Sequence, residues 1–164
     1  MTEISNHTLD PTDEGTIWFD DSAAEDKVLS FLSSKILGSK ILGASISRWN
    51  CSFLDLGTGN GHFLLRLREG GDVDEDEGEG WGGRMLGVDY SERSVEFALR
   101  IARGKGYGKE GNGRGREVEF RCWDVMNQEP AGFVLEGENE AGWDVVLDKG
   151  TFDAICLSDQ KDGS

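Results

Sequence analysis

The residues with the clearest chemical content are glycines and carboxylates set close together. Asp55-Leu-Gly57-Thr-Gly59-Asn-Gly61 puts three glycines at alternate positions just after an acid. Glycine lets the backbone turn tightly and bring its N–H groups up to a ligand with no Cβ in the way. A helix opening after Gly61 adds further unpaired N–H donors. Asp89 closes a second apolar run, 84–89, and a carboxylate there can accept from both hydroxyls of a ribose. Strand, glycine turn, helix and a second strand ending in Asp are the layout of a nucleoside-cofactor site. The plainer alternative is an ordinary glycine-rich strand-to-helix turn. A dinucleotide fingerprint requires G-x-G-x-x-G, and its third glycine would fall on His62, which disfavours a nicotinamide-dependent oxidoreductase.

Such a site needs a parallel sheet, and the hydrophobic pattern supplies one. Ser22 and Glu25 read as a capping box, and Val28, Phe31, Leu32 and Ile36 recur at helical spacing. The short apolar run 51–56 suits a buried strand. A helix is predicted over 61–69, with Phe63, Leu64 and Leu67 on one side. Residues 84–89 form the second strand, and Ser91 caps a helix carrying Val95, Ala98, Leu99 and Ala102 in the 3.6 period. Residues 117–122 alternate as a half-exposed strand should, and 143–148 form the fourth strand, with at most a very short helix between these two. The order α-β-α-β-α-β-β implies a parallel sheet with helices on its faces, a three-layer α/β/α architecture.

Composition narrows the function. The 164 residues suffice for one domain with a real core. A net charge of −15 repels phosphate backbones and anionic membranes and favours a basic partner. Direct nucleic-acid binding and membrane attachment are therefore not expected, despite the basic stretch Gly113-Arg-Gly-Arg116. Residues 69–83 hold seven acids and six glycines and read as a solvated insertion. Asp72, Asp74 and Asp76 imitate the start of a calcium loop, but Glu77 stands where its glycine belongs and Gly83 where its final glutamate belongs. Two histidines and three dispersed cysteines suggest neither a metal site nor a disulfide framework. Cys122 and Cys156 read as core fillers, and His62 as helix surface. The first ten residues lack the regions of a signal peptide, and Lys35 and Lys40 interrupt the most apolar stretch. The expectation is a reduced, cytoplasmic, monomeric domain.

The spacing G-x-G-x-G, with an acid two places before the first glycine, resembles motif I of the S-adenosylmethionine-dependent methyltransferases of the seven-β-strand class. Four blocks extend the likeness in the right order: Gly15-Thr-Ile-Trp18-Phe19, Leu54 to Gly61, Gly87-Val-Asp89-Tyr90-Ser91 and Leu147-Asp148-Lys-Gly-Thr-Phe-Asp-Ala-Ile155. Together they resemble the protein-lysine methyltransferases acting on translation elongation factor 1-alpha, and the last block is the most selective. The resemblance implies a Rossmann-like fold, S-adenosylmethionine as cofactor and that basic factor as substrate.

By the same resemblance, Asp55, Gly57, Gly59 and Gly61 surround the methionine part of the cofactor. Asp89 holds the ribose, Tyr90 lies near the adenine, and Asp124 and Val125 read the adenine edge. Trp18, in the N-terminal arm (1–21), closes over the site, and Asp148 faces the substrate as the candidate catalytic residue. Trp18 could instead anchor the arm, Asp124 form a turn, and Asp148 cap the following helix with Thr151. The domain is expected over 22–164, with strands 1–4 in the order 3-2-1-4 and strands 5–7 missing. A non-catalytic S-adenosylmethionine-binding module is the alternative.

Overall fold

The computed structural model describes residues 22–36, 45–70, 80–109, 116–129 and 132–158. The N-terminal arm with Trp18, the centre of the acidic insertion (71–79) and most of the basic stretch (110–115) lie outside these residues. The elements run α1 (Ser22–Ile36), β1 (Phe53–Leu56), α2 (His62–Glu69), β2 (Met85–Asp89), α3 (Glu92–Gly104), β3 (Val118–Cys122), β4 (Val145–Asp148) and α4 (Thr151–Ser158). Among the described residues, a 3-10 turn, Gly137–Asn139, lies between β3 and β4. The strands form one parallel sheet in the order β3-β2-β1-β4, as the sequence predicts.

Side chains alternate across the sheet, and this decides which residues meet which helices. Phe53, Met85, Val118 and Phe120 point to the face covered by Leu64 and Leu67 of α2, Ala98 and Ile101 of α3, and Leu29 and Leu32 of α1. Leu54, Leu86 and Val88 face the other way, where Trp123 and Val134 cover them with partly buried Phe133 and Trp143. Fully burying a leucine such as Leu64 stabilises by roughly 1.5–3 kcal/mol, so the helical face carries most of the core. Ser91 caps α3 as predicted, its hydroxyl accepting from the Ser94 N–H at 3.3 Å.

Two expectations are corrected. Phe31 is 54% exposed, and Leu29 takes its place beside Leu32 in the buried stripe of α1, so the helix is rotated from the predicted phase. Cys122 and Cys156 are exposed; Cys51 is the buried cysteine. Cys122 ends the edge strand β3 and Cys156 is an exposed residue of α4, so neither fills the core.

The two limbs of the acidic insertion meet at one point. The Gly70 N–H donates to the Arg66 carbonyl at 3.1 Å and the Trp81 N–H to the Leu67 carbonyl at 3.0 Å. Trp81 is buried, edge-on to Phe53 at 5.2 Å, and the buried Arg68 guanidinium donates to the Trp81 and Gly83 carbonyls.

Candidate active site

The carboxyl ends of β1, β2 and β4 converge on the turn that follows β1. The Thr58 N–H donates to the Val88 carbonyl, and the Gly59 N–H donates to Asp89 Oδ2 at 3.0 Å, stitching the turn to the end of β2. Asp89 Oδ1 accepts from the Ser91 N–H at 2.9 Å. A carboxylate has about four acceptor sites, so each oxygen keeps one for a ligand hydroxyl. Gly57, Gly59 and Gly61 all have left-handed φ, at 68°, 57° and 76°.

These three glycines answer to different demands. A Cβ on Gly57 would stand 1.7 Å from Thr151 Oγ1, and one on Gly61 would stand 2.5 Å from the Phe120 ring. Both spaces are filled from within the protein. A Cβ on Gly59 would meet nothing within 4 Å. Open space therefore lies before the one glycine whose N–H is held by Asp89.

Asp55 is 3% exposed and shares the α2 face of the sheet with Phe53. Burial pushes its carboxyl up to about 7, against the nearby Thr58 hydroxyl and the charge of Lys149, while Glu25 and Asp148 add to the rise. Asp148, at the end of β4, is exposed. Its Oδ1 accepts from the Thr151 N–H at 2.8 Å and its Oδ2 from the Phe152 N–H at 3.1 Å, which makes it the cap of α4. The Thr151 hydroxyl meanwhile donates to the Leu56 carbonyl at 2.9 Å, tying this turn to β1.

The remaining candidates line the same edge. Tyr90 is 78% exposed directly after β2. The Trp123 N–H donates to the Asp89 carbonyl, so Asp124 and Val125 follow at the neighbouring strand end. Asp124 also forms a turn: Oδ1 accepts from the Met126 and Asn127 N–H groups and Oδ2 from Asn127 Nδ2. The Asn127 side chain, with those backbone donors, holds its carboxyl below the usual range. Trp18 lies outside the described residues.

A match to the methyltransferase-domain family covers residues 47–161. The chain belongs to that family. The stretch takes in β1 to β4 and the turns just described, so the expected Rossmann-like architecture is borne out in its first four strands. The chain is 37% identical over 160 residues to protein-lysine N-methyltransferase EFM4 of Saccharomyces cerevisiae, covering 97% of this chain and 56% of that protein. Protein-lysine N-methyltransferase efm4 of Schizosaccharomyces pombe is 37% identical over 158 residues, covering 95% of this chain and 56% of the relative. EEF1A lysine methyltransferase 2 of Danio rerio is 27% identical over 146 residues, covering 89% and 47%. The resemblance read from the four blocks is thus borne out, and the chain spans about half the length of the curated relatives it matches. Among solved structures, magnesium protoporphyrin IX methyltransferase from Synechocystis, with SAH bound, aligns with a TM-score of 0.45 at 17% identity, covering 82% of this chain and 47% of that one.

S-adenosylmethionine is the methyl donor expected of this methyltransferase domain, and the residues fit it. Gly59 leaves its backbone open to a ligand, Asp89 has acceptor capacity in reserve, and exposed Tyr90 and Val125 offer apolar surface beside them. Among the described residues, no group of three or more His, Cys, Asp or Glu is placed to hold a metal, and no helix is long and apolar enough to cross a membrane.

Sequence reasoning missed Glu25, Lys149 and His62 as parts of this region. The Glu25 carboxylate, assigned to a capping box, is bonded instead to His62 and Lys149. His62 is half-buried rather than free helix surface. Partners 37 and 124 residues away leave no local signal.

Proposed function

We propose that this chain carries the cofactor-binding part of an S-adenosylmethionine-dependent protein-lysine N-methyltransferase whose substrate is translation elongation factor 1-alpha. The observation that carries the reading is the Gly59 N–H held by Asp89 in front of open space, at the strand edge where ligands bind in open α/β folds. The cofactor, when bound, supplies an electrophilic methyl group on a sulfonium. In this reading Asp55, Gly57, Gly59 and Gly61 form the wall around its methionine part. Asp89 takes the ribose hydroxyls; Tyr90, Asp124 and Val125 take the adenine; and Trp18 closes the arm over the site.

Methyl transfer asks the protein mainly for alignment and exclusion of water. The acceptor must be a neutral amine, and a lysine near pKa 10.4 is only about 0.04% neutral at pH 7, a cost of roughly 4.6 kcal/mol. Asp148 can accept a hydrogen bond from that amine, orient it and direct its departing proton to water. Because a carboxylate also stabilises the ammonium, Asp148 serves to position the amine more than to deprotonate it. A basic substrate suits a chain of net charge −15, and a cytoplasmic location suits a translation factor.

Calorimetric titration tests the cofactor assignment: S-adenosylmethionine is expected to bind and NAD is not. Binding of NAD with no response to S-adenosylmethionine would overturn the reading. A non-catalytic cofactor-binding module is the second reading, since β4 is the outer strand of the described sheet with Val146 exposed on it. Transfer of a labelled methyl group to elongation factor 1-alpha by the protein at its natural length decides between them.

A further inference from the structure

One buried charge in this region has no role in the function proposed above. Glu25 of α1 is 3% exposed. Burial pushes its carboxyl up, but hydrogen bonds with His62 and Lys149 and their charges outweigh that and bring it down to about 2. Oε1 accepts from Lys149 Nζ, in the turn between β4 and α4. Oε2 lies 3.1 Å from His62 Nδ1 and 3.7 Å from Arg66 Nη1, both on α2. The neighbouring Asp26 takes the other terminal nitrogen of Arg66. One carboxylate thus joins α1, α2 and the residue next to Asp148.

The linkage continues beyond Lys149. Two residues on, Thr151 donates to the Leu56 carbonyl and occupies the space that Gly57 leaves by lacking a Cβ. A buried ion pair is a weak source of net stability, because desolvation offsets most of the attraction. What it does supply here is geometry: both oxygens are engaged, Oε1 by Lys149 and Oε2 by His62 and Arg66.

We propose that Glu25 is a positioning residue of the transfer site: by holding Lys149 it fixes the turn carrying Asp148 and Thr151 against α2 and the glycine turn. The proposal rests on the function assigned above. It makes α1, which directly follows the N-terminal arm, part of the machinery that sets both the cofactor wall and the substrate-facing carboxylate.

The test compares Glu25→Gln, Lys149→Met and the double variant of this chain, at a temperature where far-UV circular dichroism shows all of them folded. Hydrogen exchange is read at the Thr151 and Phe152 amides, which Asp148 caps, with α3 as an internal reference. Each single variant is expected to speed exchange at these two amides by about tenfold and leave α3 unchanged. The double variant should add nothing further, because both changes break one link. S-adenosylmethionine affinity, measured by calorimetry on the same samples, should fall about tenfold in Glu25→Gln. Unchanged exchange at Thr151 and Phe152 would overturn the proposal, as would an equal rise throughout α3. Faster local exchange with full cofactor affinity would also overturn it, leaving Glu25 a purely structural ion pair. If the unaltered chain binds no S-adenosylmethionine, the function proposed above fails, and the exchange pattern alone decides whether Glu25 holds the turn.

Discussion

The two ends of the site are built in opposite ways. At β1 and β2 the acids face inward: Asp55 and Asp89 are buried, and the Asp89 oxygens are fastened to the Gly59 and Ser91 backbone. At β4 the acid faces outward, and Asp148 caps α4 while remaining exposed. The same residue type on one sheet edge therefore does two jobs, separated by burial. The inward end is held in one arrangement by its own hydrogen bonds, so under the proposed function a cofactor binding there would lose little to reordering. The outward end keeps its carboxylate open to solvent, as the proposed substrate-positioning role requires and a buried group could not provide.

The contrast breaks most severely where the two ends touch. Gly57 belongs to the inward turn, but the space beside it is filled by Thr151 from the outward one. Gly57→Val adds a branched side chain at left-handed φ and drives it into the Thr151 hydroxyl, so thermal unfolding should show a loss of about 4 kcal/mol or more. Gly59→Ala has open space and bears only the left-handed penalty of about 1–2 kcal/mol, with its larger effect on cofactor affinity. Equal destabilisation by the two changes would mean that the turns are not interlocked.

Asp55 sharpens the comparison through pH. Its folded-state pKa of about 7 lies above the ordinary 3.8, so the native state binds the extra proton. That contribution is fully present below about pH 4 and is lost as pH rises to about 7, a change of up to about 4 kcal/mol. Asp55→Asn should match the unaltered protein near pH 4 and be more stable at pH 8, measured by denaturant titration without ligand. Identical pH dependence in both proteins would show that Asp55 is ionised in its buried position.

Much of this arrangement was legible in the sequence, and the failures share a cause. Alternation, glycine spacing and a capping serine are local signals, and they placed β1 to β4, the Ser91 cap of α3 and the glycine turn close to where they fold. The glycines themselves were legible, but not their division of labour, because the sequence does not say whether Thr151, Phe120 or open space occupies the missing Cβ position. The stripe of α1 was misphased because Leu29 and Phe31 are both apolar and only tertiary packing chooses between them. Trp81 falls within the stretch 69–83 that reads as solvated, yet it is buried against Phe53, a partner distant in sequence. Glu25 looked like a helix-start acid because its real partners come from two other elements.

Asp89→Ala is the next largest test and addresses the inward end alone. It removes the acceptor of the Gly59 and Ser91 N–H groups and the one assigned to the ribose. Calorimetry should show S-adenosylmethionine binding weakened by about 1.5–3 kcal/mol, the range for hydrogen bonds to a charged group. Unchanged affinity would remove Asp89 from the cofactor site.

The smallest change in stability is expected at the outward end, and it separates two roles that Asp148 can hold together. As a cap, Asp148 satisfies the Thr151 and Phe152 N–H groups, so Asp148→Ala should cost about 0.5–2 kcal/mol in thermal unfolding. As a positioning group for the lysine amine, it should also account for about 10²–10⁴ in methyl-transfer rate in the protein at its natural length. Cofactor affinity should stay within about threefold, because Asp89 and the glycine turn are untouched. Asp148→Asn refines the result, since its side-chain oxygen can still cap α4 but lacks the charge that would direct the amine. If Asp148→Asn restores both stability and turnover, Asp148 is a cap and the outward end has no chemical role. If it restores stability alone, the exposed carboxylate acts on the substrate, and the difference between the two ends of the site is functional as well as structural.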